Sequence, residues 1–248
     1  MFQKRHLFVL SLLAGLTLVV SACGDSPTGN AGEQGPDIGP VLVLGDGATE
    51  DSVLTILAEN GVDAEFGGTY WTWDGSGLDE ASAVLFLSGY DYNETVADSV
   101  QAQLVAFVAA GGGLMTTEWM VYYGDSGYYD MVAELAPSVH QSGYDYGTET
   151  YTVVASSHPV AEGLPPSFAT PDAGWSYAND VADTAPFKNA TVVIGGSASG
   201  DAVVAGQYGA GRTVHWNMAG QYDGDDIWSP EVRRILVNIA KYISGATG

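Results

Sequence analysis

"AAGGGLMTTEW", residues Ala109 to Trp119, decides the fold. It reads as the end of a helix, three glycines that stop it, and a short apolar strand suited to cover on both faces, ending at Glu118 and Trp119. Upstream, Val96, Val100, Leu104, Phe107 and Val108 recur at helical spacing, which predicts a helix from Glu94 to Ala110. "SAVLFLSG" at 82–89 is a buried strand, and so is "VLVL" at 41–44, which breaks at "GDG". Between them, "ATEDSVLTILAENG" predicts a helix with Thr49 as cap, Val53, Ile56 and Leu57 on one face, and Asn60-Gly61 as its stop. "DAEFGG" reads as a short strand after it.

Strands alternating with helices predict an α/β fold with a mainly parallel sheet wound on both faces by right-handed crossovers. Ligands of such sheets bind beyond the carboxyl ends of the strands. Asp46, Tyr90, Asp91, Glu118 and Trp119 all follow predicted strands and are candidates to share one crevice.

From about Pro137 the pattern changes. "TETYTVVASSHPVAEGLP" offers an extended segment and a His158-Pro159 turn, "ATVVIGGS" a buried strand, and "DAVVAGQYGAGRTVHW" a hairpin around Gly209 and Gly211. Residues 138–190 read equally as a lid, an insertion or an extra layer. The final helix begins "SPEVRR", with Ser229 as cap and Pro230 at its first position, and docks through Val232, Ile235, Leu236 and Ile239.

The amino terminus has another character. Lys4 and Arg5, an apolar run from Leu7 to Val20 and "SAC" form a charged region, a hydrophobic region and a small-residue cleavage site. "VSAC" resembles the lipobox of bacterial lipoproteins, which implies a signal peptide at 1–22, a lipidated Cys23 and a membrane partner through that anchor. Residues 23–39 then form a polar, Gly- and Pro-rich tether, and 40–248 a folded domain in the bacterial cell envelope, outside the cytoplasm. Cys23 is the only cysteine, so no thiol remains in the domain for catalysis, metal binding or a disulfide.

The chain carries 30 acidic against 7 basic residues, a formal charge of -23, and such a surface excludes nucleic acid as a partner. Three aspartates cluster in "YDGDDIW" at 222–228 without the alternating ligands and closing glutamate of a calcium loop. His140, in an expected loop without a partner, His158 in a turn and His215 in a strand share no ligand spacing. No metal and no cofactor are expected.

Taken together, "VAAGGGLMTTEW", "SSHPVAEGLP", "YGAGRTVHW" and "SPEVRRILVNIAKYI" resemble the class I glutamine amidotransferase-like superfamily, most of all its ThuA-like (trehalose utilisation) branch. The resemblance covers nearly all of 40–245 and implies a flavodoxin-like three-layer α/β/α sandwich. It places the elbow that holds the amidotransferases' nucleophilic cysteine at Glu118. It also implies that two histidines of the ThuA-like branch are replaced here, by Glu118 and Gln221.

Glutamate is no acyl-transfer nucleophile, so the domain reads as degenerate and leans away from enzymatic function. Glu118 is then a ligand contact, or an acid or base partnered by Asp46 or Asp91, or a cap of the following turn. Aromatics cluster in "TYWTW" at 69–73, at Tyr90 and Tyr92, and in "VYYG" and "GYYD" between 121 and 130. With carboxylates nearby they suit a carbohydrate or an envelope protein as partner, or the packing of long loops. The leading expectation is carbohydrate or partner binding, with Asp46, Tyr90, Asp91, Trp119 and Gln221 as contacts. The alternatives are a sugar hydrolase or isomerase using Glu118, and an envelope scaffold.

Overall fold

The computed structural model describes residues 39–246 apart from 48, 90, 92, 124–126, 147, 172–174, 182–189, 198–199 and 218–226, with backbone alone for 141–146 and 175–181. Residues 36–248 form one compact unit. Tyr90, Gln221, Cys23, the tether and most of "YDGDDIW" lie outside the described residues.

The strands are β1 (Val41–Gly45), β2 (Ala64–Thr69), β3 (Ala83–Phe86), β4 (Gly113–Thr117), β5 (Ser138–Tyr146), β6 (Thr150–Val153), β7 (Ser167–Ala169), β8 (Trp175–Val181), β9 (Thr191–Gly196), β10 (Gly200–Tyr208) and β11 (Gly211–Trp216). The helices are α1 (Glu50–Glu59), α2 (Asp98–Ala109), α3 (Glu118–Tyr122), α4 (Asp130–Ala133) and α5 (Pro230–Ser244), with a 3-10 turn at Pro159–Ala161. The sheet runs β2-β1-β3-β4-β11-β10-β9-β6-β7, and β5 pairs with β8 off that path.

Only half of this order meets the expectation of a mainly parallel sheet. From β2 to β11 every pair is parallel, whereas β11-β10, β10-β9, β9-β6 and β6-β7 are antiparallel. Connection length explains the switch. Gly209 and Ala210 alone join β10 to β11, and a two-residue link can only return antiparallel, while a parallel pair needs a long crossover. Among the described residues of 138–190, β6 and β7 extend the main sheet, and β5 with β8 makes a ribbon that meets β10 where Asn179 pairs with Gly200.

Both faces of the parallel part are covered. Val41 and Val43 of β1 pack in one cluster with α1 and α5, through Val53, Ile56, Leu57, Val232, Ile235 and Ile239. Leu42 and Leu44 point the other way, into a cluster with Val100 and Leu104 of α2 and Val132 of α4. This period-two alternation with apolar residues on both sides is what "VLVL" encodes. At α5, the Ser229 hydroxyl accepts the Val232 N–H at 3.3 Å and Gly245, at φ +80, closes the carboxyl end.

α2 begins at Asp98 rather than Glu94. The segment before it is held extended, with the Val96 N–H donated to the Tyr128 carbonyl. Gln101, fully inside, clamps it by donating to the Val96 carbonyl at 2.9 Å while accepting the Met131 N–H at 3.0 Å. Val96 is buried all the same, so apolar spacing marked the core position and tertiary hydrogen bonds set the backbone.

The glycines of two sequence phrases interlock. A Cβ on Gly211 would lie 2.2 Å from the Val108 carbonyl oxygen and 2.3 Å from that of Gly112, and one on Gly113 would lie 2.3 Å from the Ile243 carbonyl oxygen. The Ala210 N–H donates to Ala109 at 3.0 Å across the same seam. The end of α2, the β10-β11 turn and the end of α5 thus touch backbone to backbone, which only glycine permits.

The loop aromatics of "TYWTW" mostly pack. Tyr70 and Trp73 are buried, and Tyr70 shares a buried hydroxyl contact of 2.9 Å with Tyr129 while donating to the Asp91 carbonyl. Burial pushes both phenols far above their ordinary range.

His158 starts the 3-10 turn, and its Nδ1 accepts the Val160 N–H at 3.2 Å. That bond requires an unprotonated nitrogen, and burial lowers the imidazole below its usual 6.5. A histidine held down in the fold but not in the unfolded chain loses stability as pH falls through 6.5 towards the folded value. We expect wild type to lose more melting temperature between pH 7.5 and 5.5 than His158→Asn, whose amide oxygen can still accept the N–H. Parallel pH curves for the two proteins would contradict this role.

Candidate functional site

Glu118 is the first residue of α3, directly after β4. Its side chain is wholly buried between two histidines. Oε1 lies 3.2 Å from Nδ1 of His140, and Oε2 lies 3.6 Å from Nε2 of His215. His215, also wholly buried, sits on β11 opposite Thr116 of β4, and its Nδ1 is 3.0 Å from the Thr116 hydroxyl.

The Glu118 carboxylate faces a ring nitrogen of each histidine, within hydrogen-bond distance for His140 and just beyond it for His215. A buried carboxylate is tolerated because these groups replace water.

His140 keeps 21% of its side-chain surface exposed and lines an open cleft of about 550 Å³. Tyr122, Asp130, Glu134 and Ser138 line the same cleft. The Tyr122 ring is 41% exposed and stands edge-on to His140 at 4.9 Å. Asp130 already accepts the Gly127 N–H through Oδ1.

The expected contacts distribute differently. Asp46 is buried, and its Oδ2 accepts from the Gly89 N–H at 2.6 Å and the Asp91 N–H at 3.1 Å, which pins the loop after β3. Asp91 receives the Tyr70 hydroxyl on its carbonyl. Where Asp46 or Asp91 was expected beside Glu118, His140 and His215 stand instead. Trp119 is buried against Tyr122 and Tyr123 at 5.3 and 5.9 Å, so its ring builds the wall of the elbow rather than facing the cleft.

His140 corrects the expectation of a partnerless loop residue. It belongs to β5, which packs on α3. No periodicity in the sequence marks a strand crossing a five-residue helix. His215 was legible in part, because Thr116 and His215 are aligned once β4 and β11 are known to be neighbours.

A second buried polar chain closes the end of β11. The Trp216 indole N–H donates to the Tyr151 hydroxyl at 3.3 Å, which itself donates to Asn217 Oδ1 at 3.1 Å. Among the described residues no group of three His, Cys, Asp or Glu side chains is arranged to hold a metal ion.

No protein-family model matches the chain, and no curated protein matches it. Solved structures do. A cytoplasmic protein from Salmonella typhimurium superposes with a TM-score of 0.61 at 16% identity, over 82% of this chain and 98% of that one. A ThuA-like protein from Bacteroides uniformis gives 0.60 at 15% identity, over 85% and 94%. A GMP synthase component from Thermoplasma acidophilum gives 0.54 at 13% identity, over 86% and 96%. The chain therefore has the α/β fold that ThuA-like and glutamine amidotransferase-like proteins share.

Proposed function

We propose that the chain is a lipid-anchored envelope protein whose degenerate, ThuA-like version of the flavodoxin-like sandwich binds a carbohydrate in the cleft beside His140. The observation that carries this reading is the buried Glu118 carboxylate 3.2 Å from His140, a half-buried ring at the mouth of that cleft. The His140 ring, held through Nδ1 by Glu118 at 3.2 Å, lines the cleft as a hydrogen-bonding group for one ligand hydroxyl. Asp130 and Glu134 accept others, and the exposed Tyr122 ring stacks on the apolar face of a sugar. Acyl transfer of the amidotransferase kind has no nucleophile here, since the only cysteine is Cys23.

The same dyad favours a second reading, a sugar-active hydrolase or isomerase. In it His140 is the acid or base, and Glu118, enclosed and out of reach of a ligand, orients it. A panel of sugars screened by thermal shift tests both. We expect at least one sugar to raise the melting temperature of wild type but not of His140→Gln or Tyr122→Ala. Turnover of that sugar, lost in His140→Gln, selects the enzyme. If no sugar shifts wild type, the carbohydrate reading falls and a protein-binding module takes its place.

A further inference from the structure

Outside that cleft, the distribution of positive charge is the most unequal feature of the molecule. Of the seven basic residues, Lys4 and Arg5 precede the domain and Lys188 lies outside the described residues. The remaining four, Arg212, Arg233, Arg234 and Lys241, are on α5 or against it. Two are committed to the fold. Arg212 donates to the Tyr242 carbonyl at 2.7 Å and stacks over its ring, while Arg233 pairs with Glu59 at 3.5 Å and donates to the Trp228 carbonyl at 3.1 Å.

Arg234 and Lys241 differ. Among the described residues, neither side chain has a hydrogen bond or an ion pair, in a chain with 30 carboxylates to choose from. Both line a concave cleft of about 340 Å³ together with Arg233, Asn60 and Asn238. Arg234 lies across Gly163, at φ +68, where a Cβ would meet its Nη1 at 2.6 Å, so the turn leaves room for the guanidinium. Lys241 also lines a neighbouring cleft of about 870 Å³ beside Ser156, Ser157 and His158. A solvated cation on a convex surface needs no partner. Here Arg234, Lys241 and Arg233 line one concavity and outnumber its two carboxylates, Glu59 and Glu162, in a chain that is acidic elsewhere, which favours negative charge in this groove.

We propose that this groove binds a small soluble anion bearing carboxylate or phosphate groups, bridged between Arg234 and Lys241. Arg234 supplies a planar fork for two oxygens and Lys241 a point charge, while Glu59 in the same lining is paired with Arg233. The groove is separate from the Glu118 cleft. Gly113, the first residue of β4, touches Ile243 near the carboxyl end of α5, whereas Glu118 follows the other end of the same strand. Occupancy of the groove therefore does not reach the His140 cleft.

Titration calorimetry of the full chain with inorganic phosphate and with citrate, at low ionic strength, tests the proposal. Cys23→Ser in every protein keeps acyl chains out of the comparison, and vesicles containing phosphatidylglycerol form a third arm. We expect one equivalent of phosphate or citrate to bind, at least tenfold more weakly in the Arg234→Gln/Lys241→Gln double variant and unchanged in His140→Gln. Absence of heat with both probes, or equal affinity in the double variant, overturns it. So does vesicle binding that depends on Arg234 and Lys241 while neither soluble anion binds, since the face would then be a membrane contact.

Discussion

Gly211→Ala is expected to destabilise the chain by about 3 kcal/mol, the upper end of what a single added methyl costs in a packed interior. The new Cβ would overlap the carbonyl oxygens of Val108 and Gly112, at 2.2 and 2.3 Å, and both are backbone atoms. Side chains can rotate away from an intruding methyl. Here α2 must slide against β11, and β11 carries His215 beside Glu118. Gly61→Ala is the control: its φ of +70 makes a left-handed site with nothing within 4 Å, so it carries backbone strain alone, about 1 kcal/mol. Urea unfolding of the two variants, compared at a common slope, reads the difference directly. Equal losses would show that the glycine seam is looser than its geometry.

His215→Leu is the second large effect. Leucine fills similar space but leaves Glu118 without the nitrogen at 3.6 Å and the Thr116 hydroxyl without the nitrogen at 3.0 Å. Leaving a buried polar group without one of its partners costs about 1–3 kcal/mol, and more for a charged group, most of it unmet desolvation. We expect a loss of about 3 kcal/mol at pH 7. The diagnostic measurement is the double variant Glu118→Leu/His215→Leu, which also removes the carboxylate. It should recover about 2 kcal/mol of that loss, because replacing both members of a buried polar contact by apolar groups of similar volume is often nearly neutral. If the two substitutions simply add, Glu118 and His215 are not coupled.

These two experiments divide along the line between sequence and structure. The phrase from Ala109 to Trp119 carries its own fold instructions. Apolar spacing marks α2, glycines stop it, and "LMTT" is buried on both faces as β4. The same local logic places β1, α1, β3 and α5, because hydrophobic period and capping residues act within a few positions of each other. It also marks Glu118 as the place where the strand β4 stops.

What only the tertiary structure decided are relations between distant segments. The sheet turns antiparallel after β11, since the order of strands depends on how each connection returns. The partners of Glu118 come from β5 and β11, 22 and 97 positions along the chain, and a side-chain contact at that separation leaves no periodic trace. Asp46 and Trp119 show the converse. Their positions after strands were legible, but burial of Asp46 under the loop after β3, and of Trp119 against Tyr122 and Tyr123, gave them to packing. Local pattern determined the corner of the fold; which side chains meet there was set by how the sheet and its ribbon close around a carboxylate that must be paired once water is excluded.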